Sequence, residues 1–126
     1  RHAVAVPGGR LLGSGSWEWG VMMTALFLIV GHAVCDYPLQ GDFLARGKNH
    51  KAPLTGVPWY QCLFAHAAIQ GGAVALTTGS AALGVAEFFA HGLIDYGKCD
   101  GWFGFNVDQA LHFACKAVWL AVWAWA

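Results

Sequence analysis

Charged side chains are the scarcest component of this chain. Seven Lys and Arg with seven Asp and Glu make up 11% of its 126 residues, where soluble domains carry about 25%. A surface built from so few charges is not an ordinary aqueous one. The two signs cancel to a net charge of zero, so no basic field exists to hold nucleic acid, and no such partner is expected. The four cysteines, Cys35, Cys62, Cys99 and Cys115, include no C-x-x-C pair. That removes zinc-finger spacing and argues against a disulfide framework; scattered single thiols on apolar segments read as small core residues. The opening "RHAVAVPGGRLLGSGS" does not read as a secretory signal, having no apolar core of about 7–15 residues before a cleavage site. Residues 1–16 are expected to form a flexible tail, and 17–126 a single domain.

Apolar residues take the place of charge. The chain is 57% hydrophobic with a mean hydropathy of +0.48, and it holds seven Trp, a residue that gathers at membrane interfaces. These numbers favour an integral membrane protein surrounded by a lipid bilayer. Four apolar stretches follow the tail: 17–37, 58–79, 80–98 and 106–126. Each has roughly the 20 residues that cross hydrocarbon. Pro58 suits a first helical turn, Ser80 and Asn106 are candidate N-caps, and Gly97 is a candidate stop. The polar segment "PLQGDFLARGKNHKAPLTGV" separates the first two stretches and predicts a short interfacial helix near 40–47. The expected fold is therefore all-α, a four-helix transmembrane bundle with that short helix between helices one and two. Arg46, Lys48 and Lys51 follow the first stretch and Lys98 ends the third. The excess of Lys and Arg on cytoplasmic loops puts both connections inside and both termini on the non-cytoplasmic side.

Ionisable residues inside the spans carry the chemistry. The first stretch ends in His32-x-x-x-Asp36, the third in His91-x-x-x-Asp95, and the fourth begins Asp108-x-x-x-His112. The second holds His66. Residues four apart share one helical face, so each pair can point at one target. Antiparallel threading at 1.5 Å per residue brings all four imidazoles to roughly 7–12 Å from the cytoplasmic helix ends. Buried charge in a bilayer is costly and normally faces a partner. Neutral imidazole and carboxylate are ligands of zinc and other borderline divalent metals. Seven ligands exceed one tetrahedral site and suit one or two ions. The blander reading is a hydrogen-bonded network that holds the helices together. Glu87, one turn deeper than His91 on the same face, reads as a partner of that histidine or a base, and equally as packing. Gln40 and Asp42 fit the mouth of the site or a solvated loop, and Gln109, about 100° from Asp108, reads as helix packing. Tyr37 and Tyr96 read as interfacial anchors, and Arg46, Lys48 and Lys51 as topological markers or a phosphate contact.

"GHAVCDYPLQGDFLARGKNH", "HAAIQ", "AHGLIDYGK" and "VDQALHFA" together resemble the domain-of-unknown-function family 3307, small membrane proteins of bacteria and their phages. The likeness covers about residues 28–120. It marks His32, Asp36, Gln40, His66, His91, Asp95, Asp108, Gln109 and His112. It also implies a distant similarity to presumed metal-dependent hydrolases of the bacterial inner membrane, which are compared with zinc phospholipases. No N-terminal Trp ligand of the phospholipase kind can be placed in this chain.

Three functions remain open from sequence. In the first, a metal-dependent hydrolase acts on a phosphoester or lipid head group at the cytoplasmic face of the inner membrane. Its divalent metal is zinc by first choice. His32, His66, His91 and His112 would ligate, and Asp36, Asp95 and Asp108 would divide ligation and catalytic base duty. In the second, a metal-stabilised, non-enzymatic subunit belongs to a larger membrane complex, phage-encoded or a homo-oligomer. The aromatic last stretch with Trp119, Trp123 and Trp125 would suit such a partner or lipid equally well. The third, an ion or proton conduit, is disfavoured because the non-cytoplasmic halves offer almost no ionisable relay.

Overall fold

The structure is a computed structural model that describes residues 4–5, 11–12 and 14–126. It is all-α apart from one two-residue pairing. Strands β1 (Val4–Ala5) and β2 (Leu11–Leu12) run antiparallel, with Val4 opposite Leu12. The rest of the expected tail up to residue 13 lies outside the described residues. Five helices follow: α1 (Ser14–Asp36), α2 (Gly41–Gly47), α3 (Trp59–Thr78), α4 (Ala81–Cys99) and α5 (Phe105–Trp125).

Local chemistry explains most of the boundaries. Ser80 caps α4 through a hydrogen bond that its hydroxyl accepts from Leu83 N at 3.3 Å, as a Ser with extended backbone does. Gly79, at φ +66, ends α3 in the left-handed conformation that favours glycine. Those two residues make the whole α3–α4 turn. Other expectations need correction. α1 starts at Ser14 rather than Trp17. Gly104 and not Asn106 occupies the N-cap of α5; Asn106 is already helical. Gly97 does not stop α4, which runs to Cys99. It is a packing site instead, since a Cβ there would lie 2.6 Å from the Trp102 ring. The reversal falls to Gly101, at φ +82.

α1, α3, α4 and α5 close into a ring, with contacts α1–α3, α3–α4, α4–α5 and α5–α1, while α2 rests on α3. The tightest contact is between α3 and α4. A Cβ on Gly71 would sit 2.6 Å from the Gly84 carbonyl oxygen, and one on Gly84 would sit 2.7 Å from the Gly71 carbonyl oxygen. Small residues that let backbones touch are the packing device of helices lacking a hydrophobic drive between them.

Burial is inverted relative to a water-soluble bundle. The buried hydrophobic residues are Leu28, Cys35, Cys62, Ala67, Val74 and Leu83. Among the described residues, twice as many polar or charged ones are buried, including His32, His66, Gln70, Glu87, His91, Asp95, Asp108, His112 and Lys116. Large apolar side chains face outward on every long helix: Leu26 and Phe27, Phe64 and Leu76, Phe89 and Leu93, Val118 and Val122. Length and hydropathy nevertheless single out one helix among the described residues. Gly15–Asp36, 22 residues with a mean hydropathy of 1.6, is long and apolar enough to cross a membrane. Four spans are not met by that measure. α3, α4 and α5 have the length, but their interior-facing His, Gln, acidic and Lys residues dilute their apolarity.

Candidate metal centre

The ring geometry gathers the interior polar residues at one end, where α1 and α4 finish and α3 and α5 begin. All four imidazoles meet there. Ring centroids lie 5.2 Å apart for His32 and His112, 4.8 Å for His66 and His91, and 4.0 Å for His91 and His112. The sequence-derived convergence of His32, His66, His91 and His112 is thus present, with Asp36, Asp95 and Asp108 among them.

One set of four donors is especially close. His66 Nε2 and His91 Nε2 are 3.0 Å apart. Asp36 Oδ1 is 3.2 Å from the first and 3.6 Å from the second. Asp95 Oδ2 is 3.5 Å from each. Metal–ligand bonds of about 2.0–2.1 Å in tetrahedral zinc sites put donors about 3.3–3.4 Å apart. These five separations bracket that value. A second set adjoins it: His112 Nε2 is 3.6 Å from Asp108 Oδ1 and 3.9 Å from Asp95 Oδ1. A third combines His32, Asp36 and His91, with ligand atoms within 4.8 Å of one another.

The surrounding hydrogen bonds orient these donors. Glu87 Oε1 is 3.2 Å from His91 Nδ1, so the carboxylate holds the ring proton on Nδ1 and leaves the Nε2 lone pair facing the centre. Glu87 also accepts from Lys116 Nζ, and from Trp119 Nε1 at 2.6 Å. Gln70 does two tasks. Its Oε1 is 3.4 Å from His32 Nδ1, and its Nε2 donates to Asp36 Oδ1 at 2.6 Å. Gln109 Nε2 reaches Asp36 Oδ2 at 3.3 Å and Asp108 Oδ2 at 3.2 Å, so it bridges two aspartates rather than merely packing. At the mouth, Lys48 donates to Asp95 Oδ2 at 2.5 Å and Lys98 to Asp108 Oδ2 at 2.9 Å.

The network does not satisfy itself. His32 Nε2, His66 Nδ1, both ring nitrogens of His112 and Asp108 Oδ1 are buried without a hydrogen-bond partner. Such orphaned groups cost roughly 1–3 kcal/mol each unless something else binds them. The donor set, rich in imidazole nitrogen and carboxylate oxygen, suits a borderline divalent cation.

Several residues that sequence reasoning passed over belong to this assembly. Gln70 is four residues after His66 and Lys116 four after His112, so the same helical-face register carried both. Lys48 gave no such signal, because it lies in a connection. The remaining loop residues are peripheral. Gln40 bonds the Asp36 carbonyl at 2.9 Å, and Asp42, Arg46 and Tyr37 are exposed. Lys51 pairs with Asp100 at 2.8 Å, His50 with Asp100 at 3.2 Å, and His50 stacks on Tyr96. These contacts tie the α1–α3 connection to the end of α4. Lys51, with His50 and Trp102 adding hydrogen bonds, holds the Asp100 carboxyl down at about 2.

The family described as "Protein of unknown function (DUF3307)" matches the chain over residues 23–125. No curated protein and no solved structure matches it.

Proposed function

The chain belongs to this family of unknown function, and from that premise we propose that it is a metal-dependent hydrolase embedded in a bacterial inner membrane. Its substrate class is a phosphoester or lipid head group at the cytoplasmic face. The observation that carries the reading is the unsatisfied donor cluster. Four buried imidazoles and three aspartates converge at one end of the bundle, and several of their ring nitrogens and one carboxylate oxygen have no hydrogen-bond partner. A structural hydrogen-bond network would be expected to close on itself.

The membrane part rests on the inverted burial. With α1, α3, α4 and α5 all spanning, the outward Phe, Leu and Val side chains meet lipid and the polar residues find partners inside. Arg46, Lys48, Lys51 and Lys98 all belong to the site end, which favours that end as the cytoplasmic one. A conduit is argued against by what lies deeper. Leu28, Val74 and Leu83 pack together with Trp119, Leu120 and Trp123, an apolar plug beyond Glu87 and Lys116.

A bound divalent ion, zinc by first choice, would lower the pKa of water toward ~7 and polarise a phosphoryl oxygen. The residues divide the remaining work. His66, His91, Asp36 and Asp95 would supply four donors to one ion. His112 and Asp108 form the side with free donor atoms, next to Lys48 and Lys98 at the mouth. Those ammonium groups are placed to attract a phosphate anion.

Coordination by four protein donors also favours a second reading, a metal-stabilised structural subunit, because structural zinc sites are closed and catalytic ones keep a position open. Zinc-loaded protein in phospholipid vesicles, assayed for head-group release and for cleavage of a soluble phosphodiester, separates the two. Hydrolysis by the wild type that falls on the order of 100-fold in His66→Ala supports the enzyme. Stoichiometric metal with no hydrolysis of either substrate replaces it with the structural subunit.

A further inference from the structure

We infer that the centre is built for two divalent ions, the second held by His112, Asp108 and Asp95. This deepens the metal-dependent reading above and rests on it. The two oxygens of Asp95 face different neighbours. Oδ2 is 3.5 Å from both His66 Nε2 and His91 Nε2, while Oδ1 is 3.9 Å from His112 Nε2. A carboxylate so placed joins two positions, the arrangement that sets ions about 3.5–4 Å apart in two-metal hydrolytic sites.

The second position has its own signature. His112 is 1% exposed and both of its ring nitrogens lack a partner; Asp108 is equally buried, and its Oδ1 is likewise unpartnered. Lys98 occupies only Oδ2 of that aspartate, and Lys48 only Oδ2 of Asp95. An ionised carboxylate has about four lone-pair sites, so both lysines can stay while the facing oxygens ligate. Three protein donors leave a coordination position for water or substrate, unlike a first position held by four.

Charge then links the second ion to an anion. Asp36, Asp95 and Asp108 bring three negative charges, and Lys48 and Lys98 return two positive ones. Glu87 and Lys116 cancel each other. One divalent ion leaves the centre with one positive charge, and a second leaves it with three. In a low-dielectric interior that excess calls for a counter-anion. Phosphate should therefore tighten the second ion, and the second ion should tighten phosphate by the same factor.

The test is a zinc titration of the full chain in detergent, followed by equilibrium dialysis and elemental mass spectrometry, with and without inorganic phosphate. Two ions per chain are expected, the second weaker and tightened at least ~10-fold by phosphate. Asp108→Asn, a near-isosteric change, should weaken the second ion at least ~10-fold and leave the first in place. His112→Ala should do the same. A wild type that saturates at one ion overturns the second position and leaves the metal reading standing. A wild type that binds none overturns both. Two ions retained in both variants would remove Asp108 and His112 from the assignment, and indifference to phosphate would remove the anion link.

Discussion

Glu87 and Lys116 show what single residues do at the base of the centre. Both are almost fully buried and joined to each other, and Glu87 also holds His91 and Trp119. Removing one partner of a buried pair strands the other charge, at a cost of about 3–5 kcal/mol, whereas removing both can be close to neutral. Lys116→Met is therefore expected to lower the stability of the detergent-solubilised protein by roughly that amount. The double variant Glu87→Gln/Lys116→Met should recover most of it. Denaturant unfolding of the two single variants and the double completes the cycle, and additive losses would show that the pair is not coupled. Six of the seven His and Asp residues of the centre stood in i,i+4 pairs, and His66 was legible from its depth in the second stretch. Gln70 and Lys116 stood in the same register, but a search for imidazole and carboxylate passed over an amide and an ammonium. Lys48 was legible as a topological marker or a phosphate contact, but not as a partner of Asp95. Its approach to Asp95 depends on how the segment after α2 folds back, and no periodicity encodes that.

Helices set the donors at one level, and their contacts are correspondingly exacting. α3 and α4 meet through Gly71 and Gly84, with no room for a Cβ on either. Gly84→Val should force the two helices apart and separate His66 from His91, reducing folded yield and thermal stability. Gly72→Ala, one residue along α3 and facing open space, should be neutral or slightly stabilising. Thermal unfolding of both variants checks the pair, and equal behaviour would mean that close approach is not what orders this hairpin. Existence and order of the five helices could be read from apolar runs separated by Pro, Gly and charge, including the short α2 near its expected place. Ends were less legible. Asn106 looks like a cap, yet the chain turns at Gly104. Gly97 looks like a stop, but Trp102 folds back over it and needs its missing side chain.

At the scale of the whole molecule, the chain has its polar residues inside and its apolar residues outside, and its centre lies where four helix ends meet. Composition foretold the apolar exterior. Hydropathy alone credits only α1 with the character of a span, because the residues that build the centre are subtracted from the apolarity of the helices that carry them. The same residues thus weaken the membrane signal and build the polar centre. Everything functional in this account depends on one claim, that the His and Asp cluster holds a divalent metal. Elemental mass spectrometry of the full chain, purified in detergent without chelators, tests it most directly beside His91→Ala/Asp95→Ala. The account predicts one or two equivalents of zinc or a similar divalent ion in the wild type and none in the double variant. Metal-free wild type that takes up no ion on dialysis, or a double variant that keeps its full complement, would contradict it.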